Sequence, residues 1–215
     1  MSSQGKIGTD EAGKGDYFGP LVVAAFWVPE QDFPKLHELG IKDSKQLSDK
    51  RIMILAKALQ DIGHNSIVPI GPEKYNELYS QIKNLNRLLA WGHARAIENI
   101  LEKVICSEVV SDKFGDESFI RGALLEKGRK VNLIQKVRAE EEPVVAAASI
   151  LARAEFLIRL QKLSRQIGIE LAKGASEKVD LVARKVVQLK GKEYLSQVAK
   201  LHFKNTRRVL CTESS

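Results

Sequence analysis

The order of apolar and polar positions along the chain predicts strands in the first two thirds of the sequence and helices up to its end. Short apolar or alternating runs are typical of strands, and apolar residues that recur every three to four positions are typical of helices. The predicted strands lie at residues 6–10, 21–28, 65–70, 104–110 and 131–137. The predicted helices lie at residues 48–62, 84–102, 116–128, 143–166, 176–190 and 192–200. This order predicts an α/β fold, in which helices flank a mixed sheet and a helical extension follows it.

Residues at the ends of these segments agree with the prediction. The glycine-rich turn between the first two strands indicates a hairpin. Ser48 is placed to cap the helix that follows it. Pro143 stands where the first turn of a helix tolerates proline, and Gly191 separates the last two helical segments.

The composition narrows the class of protein. The chain has 215 residues, of which 44% are hydrophobic, and this excludes a disordered or collagen-like chain and gives no membrane span. We expect one soluble domain over residues 1–215, because single domains of this size are common. Two cysteines are too few for a disulfide framework, and no apolar run opens the chain as a secretory signal would, so we expect a cytoplasmic protein.

Positive charge is concentrated near the C-terminus. The chain carries 34 basic and 27 acidic side chains, but residues 151–215 alone carry 14 basic and 6 acidic ones. We call residues 151–215 the basic flank. Such a flank suits a polyanion such as nucleic acid. The alternative is an ordinary solvated helical surface rich in lysine.

Acidic residues end two of the predicted strands. Asp10 and Glu11 close the first strand and enter a turn that contains Gly13, and Asp112 closes the fourth strand, with Asp116 behind it. If these strands are neighbours, several negative charges lie close together, an arrangement that favours a bound divalent cation. Mg²⁺ prefers such oxygen ligands, and two ions can support in-line displacement at phosphorus. The alternative is that the acids belong to plain turns.

Other polar segments are weaker signals. The loop at residues 42–48 and the segment at residues 173–176 each precede a helix and are able to hold a phosphate, although helix entry alone explains them. His93 and His202 have no zinc-ligand spacing, and we interpret both as structural. The sequence has no Walker-type motif, no GxSxG elbow and no CxxC pair, which argues against nucleoside-triphosphate, hydrolase-fold and zinc chemistry.

Several ordered motifs together resemble those of the type 2 ribonucleases H. These motifs are GTDEAGKG at residues 8–15, DSKQL at 43–47, SD at 111–112 and AAASILAR at 146–153. Further segments resemble ribonuclease HIII more than ribonuclease HII: DYFGP at 16–20, NLN at 84–86, AWGHA at 90–94, KGAS at 173–176 and KLHFKNT at 200–206. The resemblance spans residues 6 to about 208.

The resemblance implies an RNase H-like fold and metal-dependent cleavage of the RNA strand in RNA–DNA hybrids, leaving 3′-hydroxyl and 5′-phosphate ends. It implies Mg²⁺ or Mn²⁺ as cofactor, with two ions during catalysis. Asp10, Glu11 and Asp112 match three of the four metal-binding carboxylates of the family. The position of the fourth in ribonuclease HII is Leu157 here, so we assign the fourth to Asp116, as in ribonuclease HIII, with Glu155 as the alternative.

The resemblance also implies substrate contacts. Gly13, Lys14 and Gly15 match the turn whose backbone contacts ribose 2′-hydroxyls, and this agrees with the physical need for glycine at a close approach. Lys45 and Ser149 are expected near the phosphates of the substrate. The expected partner is an RNA–DNA hybrid duplex, with no membrane, and we expect a monomer.

Two departures from the family patterns change the expectation. Ribonuclease HIII proteins usually carry an N-terminal domain that resembles the TATA-binding protein, and we expect this chain to lack it, so that binding depends on the basic flank and on salt. The glycine–tyrosine–glycine segment of ribonuclease HII is replaced by Gly174, Ala175 and Ser176. We therefore expect little incision at a single embedded ribonucleotide. A purely nucleic-acid-binding module and an incision enzyme of the HII type are the alternatives.

Overall fold

The computed structural model describes residues 5–41 and 47–211. The strands are β1 (Gly5–Ala12), β2 (Leu21–Pro29), β3 (His64–Ile70), β4 (Glu108–Asp112) and β5 (Asn132–Lys136). The helices are α1 (Phe33–Glu38), α2 (Asp49–Ile62), α3 (Pro72–Ile82), α4 (Leu85–Leu101), α5 (Glu117–Ala123), α6 (Pro143–Ile167), α7 (Glu177–Lys190), α8 (Leu195–Val198) and α9 (Lys204–Leu210). Single 3₁₀ turns lie at Glu30–Asp32, Gly128–Lys130, Ala139–Glu141 and Lys192–Tyr194.

The strands form one mixed sheet in the order β3-β2-β1-β4-β5. The hairpin strands β1 and β2 are antiparallel, whereas β4 is parallel to both β1 and β5. The predicted five-stranded mixed sheet with flanking helices is therefore confirmed. The predicted cap of α2 is also confirmed, because the Ser48 hydroxyl accepts a hydrogen bond from the backbone N–H of Arg51.

Strand β1 is covered by a helix on each face. Ile7 belongs to a buried cluster with Ala94 and Ile97 of α4. Gly8, whose neighbours in the strand point the other way, lies against the backbone of α6, where an added Cβ would stand 2.2 Å from the carbonyl carbon of Val144. The odd-numbered residues of β1 therefore face α4 and the even-numbered ones face α6.

Several predicted boundaries are wrong. Strand β4 begins at Glu108 rather than at residue 104, because the backbone N–H of Val104 still bonds to the carbonyl of Ile100 at the end of α4. Ile105, which the apolar pattern placed in the strand, is 81% exposed. The segment at residues 192–200 is a 3₁₀ turn followed by the single turn α8, and the pattern missed α1, α3 and α9.

The chain divides into two compact units. The first contains Met1–Ala12, Val22–Val68 and Asn84–Glu155, and the second contains Gly13–Leu21, Pro69–Lys83 and Phe156–Ser215. The single domain expected from chain length stays a prediction. In the part of the chain that the structure describes, no helix has both the length and the apolar character to cross a membrane.

Candidate active site

Two of the predicted acids lie side by side at the carboxyl ends of neighbouring parallel strands. Thr9 of β1 pairs with Ser111 of β4, so the next residues, Asp10 and Asp112, follow on adjacent strands and on the same face of the sheet. Adjacent strands are about 4.8 Å apart. Asp112 accepts a hydrogen bond of 3.2 Å from the backbone N–H of Ala139. The pairing of the sheet thus brings together two carboxylates that are 102 positions apart in the sequence.

The environment of Asp10 opposes its negative charge. Burial raises the pKa of Asp10 to about 7, and the charges of Glu11 and Asp112 act in the same direction. Hydrogen bonds from the Ser149 side chain on α6 and from the backbone N–H of Glu11, the latter at 2.8 Å, partly compensate. The ionised form of such a carboxylate is stabilised when a cation binds beside it.

Glu11 points to the opposite face of the sheet from Asp10, as neighbouring strand residues do. Its Oε2 accepts a hydrogen bond of 3.2 Å from Nε2 of His93, which lies on α4. The second ring nitrogen of His93, Nδ1, lies 2.8 Å from the hydroxyl oxygen of Thr9. The imidazole is fully buried.

The role of His93 was only half predicted from the sequence. The interpretation as a structural, hydrogen-bonded histidine agrees with its burial and its two partners. The partner itself was missed, because nothing in the spacing of residues 11 and 93 indicates that α4 crosses β1 at this point. A polar histidine among the apolar positions of α4 was the available signal.

The acids are neighbours but do not form a closed ligand set. Within residues 5–41 and 47–211, no three aspartate, glutamate, histidine or cysteine side chains are arranged as a complete ion-binding cluster. Mg²⁺ in proteins is nevertheless held by one or two carboxylates and several waters. Asp10 and Asp112 meet that requirement. A divalent cation also fits the unfavourable negative charge on Asp10, because it would offset that charge.

The two candidates for the fourth carboxylate lie in different places. Asp116 is exposed and caps α5, where its Oδ1 accepts a hydrogen bond of 2.8 Å from the backbone N–H of Ser118. Hydrogen bonds from the side chain and from the backbone N–H of Ser118 lower the pKa of Asp116. Glu155 is half-buried on α6. The charges of Asp10, Glu11 and Asp112 therefore interact with one another, whereas Asp116 caps a helix.

The glycine-rich turn belongs to the second unit, where the C-terminal segments hold it. Asp16 accepts a hydrogen bond of 2.6 Å from the backbone N–H of Gly174, and the backbone N–H of Tyr17 donates to the carbonyl of Gly174 at 2.8 Å. Gly13 has a φ of 83°, and a Cβ there would stand 2.2 Å from the carbonyl oxygen of Pro20.

The middle of this turn is open. Gly15 is exposed, and a Cβ at Gly15 would meet nothing within 4 Å, so a ligand can reach its backbone. Lys14 is half-buried. In the structure the side chain of Ser149 hydrogen-bonds to Asp10. Lys45 lies outside the described residues.

Comparisons with known proteins agree with this geometry. The sequence model of the family described as Ribonuclease HII matches residues 7–206. Ribonuclease HIII of Protochlamydia amoebophila is 47% identical over 204 residues, which are 95% of this chain and 68% of that protein. Ribonuclease HIII of Chlamydia caviae is 42% identical over 214 residues, which are 98% of this chain and 71% of that protein.

A solved structure shows the same fold over the whole chain. The crystal structure of Bst-RNase HIII in complex with Mn²⁺ matches with a TM-score of 0.90 at 34% identity, over 100% of this chain and 71% of that one. The resemblance to ribonuclease HIII that the motifs predicted is therefore confirmed. The strand ends that carry Asp10 and Asp112, the family match over residues 7–206 and the 47% identity lead to one assignment: this chain belongs to the ribonuclease HII family and is similar to its members named ribonuclease HIII.

Proposed function

We propose that the chain is a divalent-metal-dependent endoribonuclease that hydrolyses the RNA strand of RNA–DNA hybrids. The observation that carries the proposal is that Asp10 and Asp112 directly follow the paired residues Thr9 and Ser111 of two parallel strands, where the charge on Asp10 is unfavourable without a cation. The Mn²⁺ complex of a ribonuclease HIII with the same fold supports it.

In this proposal the side chains of β1 and β4 hold Mg²⁺ or Mn²⁺. Asp10, Glu11 and Asp112 would hold the ion, Ser149 orients Asp10 by a hydrogen bond, and the backbone N–H of Ala139 orients Asp112. A divalent ion held there would supply an activated water molecule and charge stabilisation for the leaving oxygen. The water oxygen bonds to phosphorus and the bond from phosphorus to the 3′-oxygen breaks, so the products carry a 5′-phosphate and a 3′-hydroxyl.

We assign the fourth carboxylate to Asp116 rather than to Glu155. Phe114, two residues before Asp116, stacks on the ring of His93 at a centroid distance of 4.8 Å. Because His93 bonds to Glu11, the segment between Asp112 and Asp116 is anchored beside the acids of β1.

Recognition of RNA is assigned to the turn of Gly13, Lys14 and Gly15. The 2′-hydroxyl is the group that distinguishes the RNA strand chemically, and an open glycine backbone allows the close approach that reading it requires. Lys45 is proposed as a phosphate contact. The basic flank adds attraction for the duplex that does not depend on sequence.

Cleavage of a labelled RNA–DNA hybrid with Mg²⁺ or Mn²⁺ tests the proposal. We expect cleavage that EDTA abolishes, and we expect Asp10→Asn and Asp112→Asn to lose at least about 10³-fold in kcat, since each removes a direct ligand. Asp116→Asn and Glu155→Gln, compared side by side, decide the fourth acid. Glu126→Gln is a control, because Glu126 is an exposed acid after α5.

Three results would reject parts of this proposal. Unchanged cleavage by Asp10→Asn removes the catalytic assignment. Hybrid binding without any cleavage by the unaltered protein indicates a binding module. Preferred cutting of a DNA duplex with one embedded ribonucleotide indicates an incision enzyme of the HII type.

A further inference from the structure

His93 joins the two segments of the first unit that carry the acids. It lies on α4, is fully buried, and has a hydrogen-bond partner at each ring nitrogen, both of them on β1. On one side of the ring lies Phe114, from the segment that follows β4, with an interplanar angle of 19°. One imidazole therefore contacts both the strand that bears Glu11 and the loop between Asp112 and Asp116.

The hold on the imidazole is rigid. Thr9, which contacts Nδ1, is itself fixed, because its hydroxyl oxygen also lies 2.9 Å from the carbonyl oxygen of Ala24 on β2. Rotation of the ring would break the contacts to Thr9 and Glu11 together. The ring of Phe114 restricts tilting out of the plane.

A polar side chain in these surroundings costs free energy unless its nitrogens are hydrogen-bonded. The neighbours of His93 on α4 and on the same face of β1 are Ala90, Ala94, Ile97 and Ile7, all buried members of one hydrophobic cluster. A leucine or methionine would fill such a place without a hydroxyl or carboxylate partner. The bonded row of Thr9, His93 and Glu11 leads from this apolar layer to the end of β1.

We infer that His93 is a positioning residue that fixes the direction of the Glu11 carboxylate at the end of β1, and so prepares the acid group for a divalent cation. This inference rests on the proposed function. A glutamate has three side-chain torsions, and a donor fixed at one carboxylate oxygen restricts them before the cation arrives. Hydrogen bonds that orient metal ligands in this way typically change metal affinity or activity by about 10- to 100-fold.

The test compares three variants of the full chain. His93→Ala removes the donor to Glu11. His93→Gln keeps a side-chain N–H that is able to reach it. Ile97→Ala is the matched control, because Ile97 is fully buried one turn further along α4, in the same cluster, and is apolar. Mn²⁺ affinity by titration calorimetry, melting temperature, and kcat and KM on the hybrid are measured for each.

We expect His93→Ala to bind Mn²⁺ about 10- to 100-fold more weakly and to lose kcat by a similar factor, with the KM for the hybrid unchanged. His93→Gln should recover part of both losses. Ile97→Ala should lower the melting temperature but keep Mn²⁺ affinity and kcat within about twofold. A purely structural role predicts equal behaviour of His93→Ala and Ile97→Ala, and that outcome overturns the inference.

The calorimetric readout separates this inference from the proposed function. If the unaltered chain binds Mn²⁺ but cuts no hybrid, the proposed function fails while the affinity of the His93 variants still decides the positioning role. If His93→Ala does not fold, His93→Gln and His93→Asn are compared with the unaltered chain instead. Unchanged Mn²⁺ affinity and unchanged kcat in both of these variants, provided that His93→Asn folds, would count against the positioning role.

Discussion

A carboxylate is stable in water because solvent surrounds its charge, and Asp10 has given up part of that solvation. Burial comes first among the causes that raise its pKa to about 7, and the charges of Glu11 and Asp112 add to it. Asp116 is the contrast, since its carboxylate is exposed, accepts hydrogen bonds from Ser118 and has a lowered pKa. The ionised carboxylate of the same residue type is therefore destabilised at Asp10 and stabilised at Asp116, because the surroundings differ.

Asp10→Asn should stabilise the fold when no divalent cation is present. A carboxyl group whose pKa rises on folding, from 3.8 to about 7, stays protonated up to a higher pH in the folded chain than in the unfolded chain. The free energy of unfolding therefore falls as the pH rises through that window. We expect the variant to gain about 1–3 kcal/mol at pH 8 and little at pH 4.

Urea unfolding in EDTA at both pH values measures this difference. Addition of Mn²⁺ should then raise the melting temperature of the unaltered chain more than that of Asp10→Asn. A variant that is less stable than the unaltered chain at pH 8 would show that Asp10 is not under charge strain.

Lys200 is a second residue whose charge conflicts with its place. It is fully buried in the second unit, where its Nζ donates to the carbonyl of Gly19 at 2.7 Å and lies 5.8 Å from the centre of the Tyr75 ring. Burial lowers the pKa of Lys200 to about 7, against the opposing influence of Asp16. The amine thus ties the end of the glycine-rich turn to the C-terminal segment.

Lys200→Met should change how stability depends on pH. The folded chain releases the lysine proton near pH 7, whereas the unfolded chain keeps it up to 10.5, so the unaltered chain gains stability as the pH rises between those values. Between pH 7 and pH 9 we expect its unfolding free energy to rise by about 2 kcal/mol relative to the variant. Denaturant titrations of both proteins at the two pH values measure this, and a difference that does not vary with pH would contradict it.

At the scale of elements, β1 organises the first unit because its two faces serve different helices. Thr9 and Glu11 meet His93 of α4, while Gly8 and Asp10 meet α6 through Val144 and Ser149. The alternation of a strand therefore distributes the two adjacent acids between two helices. The position of α6 against β1 decides where Ser149 reaches Asp10.

Gly8→Ala should disrupt this packing. The new Cβ would stand 2.2 Å from the carbonyl carbon of Val144 and 2.3 Å from its oxygen, and backbone atoms of a long helix do not move aside easily. We expect a loss of at least about 3 kcal/mol of unfolding free energy.

Gly122→Ala is the control for this prediction. A Cβ at Gly122, in α5, meets nothing within 4 Å, and alanine is the better helix former by about 1 kcal/mol. Chemical denaturation measures both variants. Unchanged stability of Gly8→Ala would mean that α6 and β1 are further apart than described.

At the scale of the whole molecule, the uneven charge should govern binding of the hybrid. Lys178 and Lys185 are exposed and seven residues apart on α7, within the basic flank. Lys50 and Lys57 have the same exposure and spacing on α2, in the part of the chain that is nearly neutral. The two pairs differ in their electrostatic surroundings rather than in residue type.

Charge reversal separates the two pairs. If both lysines of α7 neutralise phosphates, the double variant Lys178→Glu/Lys185→Glu should reduce the slope of log affinity against log salt by about 2. Lys50→Glu/Lys57→Glu should change it by less than half as much. Equilibrium binding of an uncleavable hybrid at several salt concentrations measures the slope. Equal effects of the two pairs would show that the basic flank does not attract the hybrid more than the rest of the chain does. The monomeric state stays a prediction, which light scattering can measure.

The local pattern of the sequence determined most elements of this protein. Regular recurrence of apolar residues predicted α2, α4, α6 and α7 to within one or two residues, because a long helix with one buried stripe is specified by its own sequence. The start of strand β4 was misplaced, because Val104 and Cys106 pack against the core from a loop, and burial in a loop has no period. The short helices α1 and α9 were missed, since a helix of six or seven residues depends on its neighbours for stability.

The sequence also determined which residue types stand at the strand ends, and through its motifs which family the chain belongs to. Only the tertiary structure decided that Asp10 and Asp112 are side by side while Glu11 turns to His93. The physical reason is that strand register and the crossing of α4 over β1 are set by contacts between residues far apart in the chain. No local pattern records such contacts.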